Sequence, residues 1–381
     1  MIKHSLDSIL KQQAKKKINK KIPNKNTIYK FNNLTIDISR NLIDMEILKN
    51  LLVFSKSIDI KSKINQLFDN EYKSLSENKK VSFLYERFDK NIKKKNIYKL
   101  FKFDDLIKKG NWKSFSGKPF KYIIHIGIGG SILGPKATSH ALKDYHDKKI
   151  QIYFASSADT SEIEDILEKC NLTETLFILA SKSFETREVL INYKYIKDKL
   201  LNLVKKPKDI QNSFLAITAN RNNALKLGIN SKRILIFSKT IPGRFSLSSP
   251  ISFPLLLQIG KDNYTKFING INKMDAHFKN SRVESNIPLL LALISIWNVN
   301  YKNITSNCIL TYNHRLRSFS NFVQQLEMES NGKSVNAKNQ RIDHNTSPFI
   351  FGLQGTECQH SIFQMLHQGT LKTSMDFIGV I

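Results

Sequence analysis

Cysteine, acidic residues and long hydrophobic runs are all scarce in this sequence of 381 residues. Its three cysteines, Cys170, Cys308 and Cys358, form no C-x-x-C pair, which argues against a disulfide framework and a zinc site and favours a reducing compartment. The longest apolar stretch, residues 287–297, is shorter than the roughly 20 residues that span a bilayer. The N-terminus lacks the apolar run of a secretory signal. We therefore expect a cytoplasmic protein with no membrane partner.

The shortage of acidic residues leaves a large positive charge. Asp and Glu number 32 against 60 Lys and Arg, a formal net charge of +28. Such an excess is typical of proteins that bind nucleic acid or anionic small molecules. The lysines are spread along the chain beside many Asn and Ile residues, a pattern that an A/T-rich genome also produces. Because no nucleic-acid-binding motif accompanies the charge, we expect no nucleic-acid partner, and a phosphorylated metabolite fits the charge equally well.

Short apolar runs alternate with amphipathic segments from residue 121 onward. The runs lie at 122–130, 150–157, 175–183, 213–220 and 233–237. Continuous apolar strands that alternate with helices indicate a parallel, doubly wound sheet, here of five strands. After Pro242 a second series has three recognisable strands, near 306–313, 349–352 and 375–381. The prediction is a helical segment (1–115) packed on the second domain, a complete first domain (116–241), and a second domain (242–381) with fewer strands.

Two clusters of small and hydroxyl-bearing residues follow predicted strands of the first series. Gly127-Ile128-Gly129-Gly130-Ser131 stands where a strand passes into a helix, so backbone N–H groups there can approach an anion. Ser181-Lys182-Ser183-Phe184-Glu185-Thr186 repeats this arrangement with three hydroxyls and a lysine, which suit a phosphate. The alternative for each cluster is an ordinary tight turn or helix cap without a ligand.

Three further positions offer side chains that can take part in a reaction. Arg244 follows Gly243 at a predicted helix start, where a guanidinium can hold a developing oxyanion. Glu327 and Glu329 lie two residues apart at the end of a predicted helix and point to different sides, so one of them can act as a base, although most helix-end glutamates are surface residues. His360 lies in a later helical segment without an acidic or histidine partner at ligand spacing, so no metal site is predicted.

Taken in order, six sequence blocks resemble the glucose-6-phosphate isomerase family. They are GIGGSILGPKA (127–137), ASKSFETRE (180–188), PGRFSLSSPISFPLLLQIG (242–260), NIPLLLALISIWNVN (286–300), QQLEMESNGKSV (324–335) and QHSIFQMLHQGT (359–370). The resemblance implies an α/β protein of two SIS-type αβα sandwich domains with parallel sheets, the second incomplete at its C-terminus, plus N-terminal helices. It also implies reversible interconversion of glucose 6-phosphate and fructose 6-phosphate through an enediol, in glycolysis and gluconeogenesis, without cofactor or metal.

The resemblance assigns roles to individual positions. Glu329 matches the base that moves a proton between C2 and C1, and Arg244 matches the arginine that steadies the enediolate. His360 matches the histidine that assists ring opening; in the family it comes from the neighbouring subunit, so a homodimer is expected. The positions that match phosphate- and substrate-binding residues are Gly130, Ser131, Ser181, Lys182, Ser183, Thr186 and Gly243.

The sequence also departs from the family pattern. Ile132 stands where the family usually has Asp, and nothing matches the later family block FDQWGVELGK, whose lysine takes part in ring opening. A second hypothesis is therefore a catalytically impaired phosphosugar-binding SIS protein that lacks this lysine. The joint presence of Glu329, Arg244 and His360 favours the isomerase, because a binding protein needs only the hydroxyl cluster.

Overall fold

The computed structural model describes residues 2–16, 27–74 and 78–381, which form two compact units. The first unit comprises the described part of Met1–Lys80 together with Lys273–Asn313 and Glu327–Ile381. The second comprises Val81–Asn272 and His314–Leu326. Residues 17–26 and 75–77 of the predicted helical segment lie outside the described residues. The three-domain division stays a prediction.

The described residues form helices and strands along the chain. The helices are α1 (Ile2–Lys15), α2 (Met45–Ser57), α3 (Ile60–Phe68), α4 (Phe83–Phe88), α5 (Lys90–Lys108), α6 (Leu133–Ala141), α7 (Thr160–Glu168), α8 (Arg187–Leu201), α9 (Arg221–Lys226), α10 (Phe253–Asn280, broken at Gly260), α11 (Ile287–Asn300), α12 (Phe319–Asn331) and α13 (Gly355–Gln368). The strands are β1 (Ile28–Phe31), β2 (Leu34–Asp37), β3 (Lys73–Ser74), β4 (Lys79–Lys80), β5 (Tyr122–Ile126), β6 (Gln151–Ala155), β7 (Thr175–Ala180), β8 (Phe214–Thr218), β9 (Ile234–Ile236), β10 (Ser306–Thr311), β11 (Phe349–Gln354) and β12 (Ser374–Ile378).

The second unit contains a five-stranded parallel sheet in the order β6-β5-β7-β8-β9. Strands β7 and β8 are buried at every position, which explains why both read as unbroken apolar runs. Alternate residues of the strands in this sheet pack into two separate hydrophobic cores, one on each face of the sheet. The face of Ile123, Ile178 and Leu215 packs on α5 and α10, and the face of Ile124, Phe177 and Phe214 packs on α7, α8 and α9. Helices on both faces make this unit an αβα sandwich.

The first unit contains a three-stranded parallel sheet in the order β11-β10-β12. Cys358 of α13 packs on Cys308 and Leu310 of β10, so α13 covers one face of this sheet. The N-terminal helices α1 and α2 share a separate core with α11, in which Trp297 is fully buried. The Trp297 indole N–H donates to the Leu42 carbonyl oxygen at 2.8 Å, which satisfies its one polar group.

The two parallel sheets of five and three strands confirm the predicted fold class, and two local differences have physical reasons. The 1–115 segment also contains antiparallel hairpins; Asn32, at a φ of +50°, turns β1 into β2. The helix predicted to start near Arg244 begins only at Phe253, because the ring of Pro250 would clash with the carbonyl of a helical Ser246. Helix α13 follows β11 directly and begins at Gly355.

Candidate active site

The glycine cluster and the hydroxyl cluster lie side by side at one edge of the five-stranded sheet. Strand β5 has β6 on one side and β7 on the other, so the strand order reverses direction between β5 and β7. The Cα atoms of Ile126 and Leu179 are paired, and the two strands are parallel. The loops that follow them therefore leave the sheet together. Open α/β sheets bind ligands in the crevice at such a reversal point.

The glycine loop after β5 is in contact with the loop that carries Arg244. A Cβ built on Gly130 would lie 2.1 Å from the carbonyl carbon of Gly243 and 2.5 Å from the Arg244 nitrogen. No side chain fits in that space, so only glycine allows the two backbones to meet. Ser246 is 1% exposed. Its hydroxyl oxygen lies 2.6 Å from the Gly243 carbonyl oxygen and 3.2 Å from the Gly130 carbonyl oxygen. Gly130, Ser131, Gly243 and Arg244 are thus held together.

Within the hydroxyl cluster, the four predicted ligand-binding residues differ in exposure. Ser181 is 2% exposed, and its hydroxyl lies 2.7 Å from that of Thr186 and accepts the Phe184 N–H. Ser183 is exposed, and Lys182 and Thr186 are half-buried. Ser181 therefore shapes the loop from inside, while Lys182, Ser183 and Thr186 can reach a ligand.

Backbone geometry also holds the hydroxyl cluster in place. Phe184 has a φ of +58°, an unfavourable value for a bulky residue, and its ring is buried in the core beneath the loop. The Lys182 carbonyl accepts hydrogen bonds from the Ala219 N–H and the Thr218 hydroxyl, both at 3.1 Å. Thr186 is the N-cap residue of the 15-residue helix α8, and its side chain makes no capping hydrogen bond to the first N–H groups of that helix. That helix end favours an anion.

Arg244 is half-buried, and its guanidinium carbon lies 5.2 Å from the centre of the Phe245 ring. The residue belongs to a 3₁₀ turn, Gly243–Ser248. A planar cation over an aromatic face loses little of its capacity to bind an anion, because the ring does not use its N–H donors. The Arg244 backbone thus lies against the glycine loop, while its guanidinium lies over the Phe245 ring.

Glu329 and His360 belong to the first unit and lie on different helices. Glu329 is exposed in the last turn of α12, and its carbonyl oxygen accepts from Lys333 Nζ at 3.0 Å. The neighbouring Glu327 instead accepts from Asn331 at 2.9 Å. His360 is exposed on α13, and the adjacent Gln359 amide donates to the Tyr312 hydroxyl at 3.1 Å. Both predicted residues are accessible to a substrate.

Sequence reasoning missed Gln325, which lies against the glycine loop. A Cβ on Gly129, whose φ is +55°, would lie 2.9 Å from Gln325 Nε2. The signal that could have found it is helical spacing, because Gln325 precedes Glu329 by one turn on α12. Its amide adds polar groups next to Gly129.

His125, inside β5, is fully buried directly beneath the glycine loop. Its Nε2–H donates to the Ser131 carbonyl oxygen at 2.7 Å, since a carbonyl can only accept. Burial lowers the pKa of His125 to about 4, and the hydrogen bond to Ser131 offsets part of that effect. The imidazole is therefore neutral at pH 7 and supports the loop as a hydrogen-bond donor.

The lowered pKa of His125 predicts a loss of stability in acid. An unfolded histidine titrates near 6.5 and the folded one near 4, so between these values the unfolded chain binds more protons. Stability falls as the pH falls through this window, and His125 accounts for about 2 kcal/mol between pH 7 and pH 5. Urea unfolding at both pH values should show a loss smaller by that amount in His125→Asn. Equal losses in the two proteins would contradict the assignment.

Two kinds of site have no counterpart among the residues that the structure describes. No group of three or more His, Cys, Asp or Glu side chains there is arranged to hold a metal ion. Within the same residues, no helix combines the length and the apolar character that crossing a bilayer requires.

Comparisons with known proteins show which family this chain resembles. A family model described as phosphoglucose isomerase matches residues 37–381. A glucose-6-phosphate isomerase of Buchnera aphidicola from Acyrthosiphon pisum is 37% identical over 362 residues, which cover 92% of this chain and 66% of that relative. One from Shewanella sediminis is 36% identical over 357 residues, or 91% of this chain and 66% of the relative. The chain thus spans just under two thirds of the length of these curated relatives.

A solved structure shows the same fold. The crystal structure of a glucose-6-phosphate isomerase from Chlamydia trachomatis superimposes with a TM-score of 0.86 at 25% identity. The match covers 98% of this chain and 75% of that one.

Proposed function

This chain belongs to the phosphoglucose isomerase family, and from that premise we propose that it interconverts glucose 6-phosphate and fructose 6-phosphate. The observation that carries the proposal is the backbone contact of Gly130 with Gly243 and Arg244. Within one unit, it joins the loop beside the proposed phosphate site to the loop that carries Arg244. An aldose–ketose isomerase needs both, one to hold the substrate and one to meet developing charge.

In the proposed complex the phosphate binds at the hydroxyl cluster. Lys182 supplies a positive charge, and the hydroxyls of Ser183 and Thr186 donate to phosphate oxygens beside the first turn of α8. Ser131 and Gly130 lie at the adjacent loop, towards the sugar. Binding energy from the non-reacting phosphate orients the carbon atoms at which the reaction occurs.

In the proposed reaction one proton moves from C2 to C1 and a second proton moves from the C2 oxygen to the C1 oxygen. The Glu329 carboxylate removes the C2 proton of the open-chain aldose, the C–H electron pair forms the C1–C2 double bond of the enediolate, and the C1 oxygen takes the negative charge. The C1 oxygen then gains a proton and the C2 hydroxyl loses its own, so that C2 becomes the carbonyl carbon as the Glu329 carboxyl returns its proton to C1. Arg244 stabilises the negative oxygen of the enediolate. His360 moves a proton at the ring oxygen when the sugar opens. No electron acceptor is needed, because the aldose and the ketose are isomers.

We extend the proposal to assembly and location. The exposed position of His360 on α13 suits donation to a second copy in a homodimer. The cysteines Cys170, Cys308 and Cys358 are all free and buried, which suits a reducing compartment, and we propose the cytoplasm. We also propose functional domains at 1–115, 116–241 and 242–381.

A coupled assay on the purified chain tests the function. Fructose 6-phosphate is supplied, and the glucose 6-phosphate formed is followed by a dehydrogenase that reduces NADP. We expect turnover that saturates with substrate. Thermal unfolding in the presence of fructose 6-phosphate is measured in parallel. A folded protein that the sugar phosphate stabilises but does not convert would refute the isomerase proposal and support a phosphosugar-binding protein instead.

A further inference from the structure

Four side chains form a chain of contacts that ends at Arg244. The rings of Phe83 and Phe245 are stacked, with centroids 4.2 Å apart and planes 9° from parallel. The Arg244 guanidinium carbon lies 5.2 Å from the Phe245 centroid. That of Arg87 lies 5.3 Å from the Phe83 centroid. Helix α4, which carries Phe83 and Arg87, is therefore linked through aromatic rings to the loop that carries Arg244.

Hydrogen bonds hold α4 and this loop in register. The Ser82 N–H donates to the Thr240 carbonyl oxygen at 3.1 Å, and the Ser82 and Thr240 hydroxyls are 2.5 Å apart. The Ser82 hydroxyl also donates to Glu86 Oε1 at 2.7 Å. Ser82 is the N-cap residue of α4, so these bonds fix the helix start that carries Phe83. The ring stack thus rests on a fixed support.

The side chain of arginine has many rotamers, and its charge is useful only where it points at the developing oxyanion. An aromatic face under the guanidinium restricts it to one plane. The Phe245 ring can serve this purpose only if it is itself held, and Phe83 holds it. We propose that Phe83 is a positioning residue that acts through Phe245 to orient Arg244 for the isomerisation, an inference that rests on the proposed function.

The test compares Phe83→Leu with a matched control in the same unit. Phe101 has the same kinds of partner elsewhere: Lys261 Nζ lies 5.4 Å from its centroid and the Tyr264 ring lies 6.5 Å away. We expect Phe83→Leu to lower kcat about tenfold with KM changed less than about twofold, since the phosphate-binding loop is not touched. Phe101→Leu should keep kcat at the wild-type value, and Phe83→Tyr, which restores a ring, should recover most of it.

Thermal unfolding of each variant separates positioning from stability. Phe83 is half-buried, and Phe83→Met provides a second ring deletion if Phe83→Leu does not fold. An inactive wild-type chain would overturn the proposed function itself. An active wild type with an unchanged kcat in a folded Phe83→Leu or Phe83→Met would refute the role of Phe83 alone. Equal kcat losses in Phe83→Leu and Phe101→Leu would show a general structural effect and also refute it.

Discussion

Glu329→Gln is expected to lower kcat for the conversion of fructose 6-phosphate about 1,000-fold, the usual order for loss of a general base. Glutamine has nearly the same shape as glutamate but cannot accept the proton from carbon. Because Glu329 is exposed at the end of α12, the change should leave the free energy of unfolding nearly unaltered. KM should change little, since the proposed phosphate site is the hydroxyl cluster and does not include Glu329. The coupled assay measures kcat and KM, and urea unfolding measures stability.

Glu327→Gln is the matched control for this prediction. Glu327 lies on the same helix, two residues earlier, and its carboxylate accepts from Asn331. A glutamine amide oxygen can accept the same bond, so activity should stay near the wild-type value. Loss of activity in Glu327→Gln together with normal activity in Glu329→Gln would transfer the role of base to Glu327. Exchange of the substrate C2 proton with solvent deuterium should disappear in the variant that lacks the true base.

Gly130→Ala is expected to lower kcat/KM at least about 100-fold, because a displacement of about 1 Å at a site can cost this much. The added methyl group would lie 2.1 Å from the Gly243 carbonyl carbon and 2.3 Å from its oxygen, where only backbone could yield. The Arg244 loop must then move away from the glycine loop. Overpacking of this kind also costs about 1–3 kcal/mol of stability.

Gly270→Ala is the control for the same substitution. Gly270 lies within α10, and nothing lies within 4 Å of the position of an added Cβ. Alanine in a helix is favoured over glycine by about 1 kcal/mol, so this variant should be slightly more stable and fully active. Wild-type activity in Gly130→Ala would mean that the two loops do not need to be in contact during catalysis.

The five-stranded sheet and most of its helices could be predicted from the sequence, because the apolar runs and helix caps that indicate them are local patterns. The run Thr175–Ala180 is apolar at every position, and a strand buried on both faces requires that composition. Asp159 precedes the helical pattern of α7, and its carboxylate accepts the Ser161 N–H as an N-cap. The alternation of strands and helices along the chain then predicted a doubly wound parallel sheet. The loops with Gly130 and Ser183 could then be predicted as ligand-binding loops, because open α/β sheets bind ligands at the carboxyl ends of their strands.

Contacts between distant parts of the chain could not be predicted in this way. Periodicity and capping report on neighbours within one or two turns, whereas the position of one loop against another depends on strand register and core packing. No local pattern shows that Gly243 rests on Gly130, that Gln325 lies against Gly129, or that Phe83 supports Phe245.

The sequence by itself determined the fold class, the family and the residue types available for chemistry, since motif order and apolar patterning are properties of the chain alone. Tertiary structure decided how those residues are used. It buried Ser181 as a loop support and left Ser183 exposed, although both are serines in the same cluster. It also placed His125 beneath the glycine loop as a neutral donor. Burial and hydrogen-bond geometry exist only once the chain has folded, and they decide which of several similar side chains can meet a substrate.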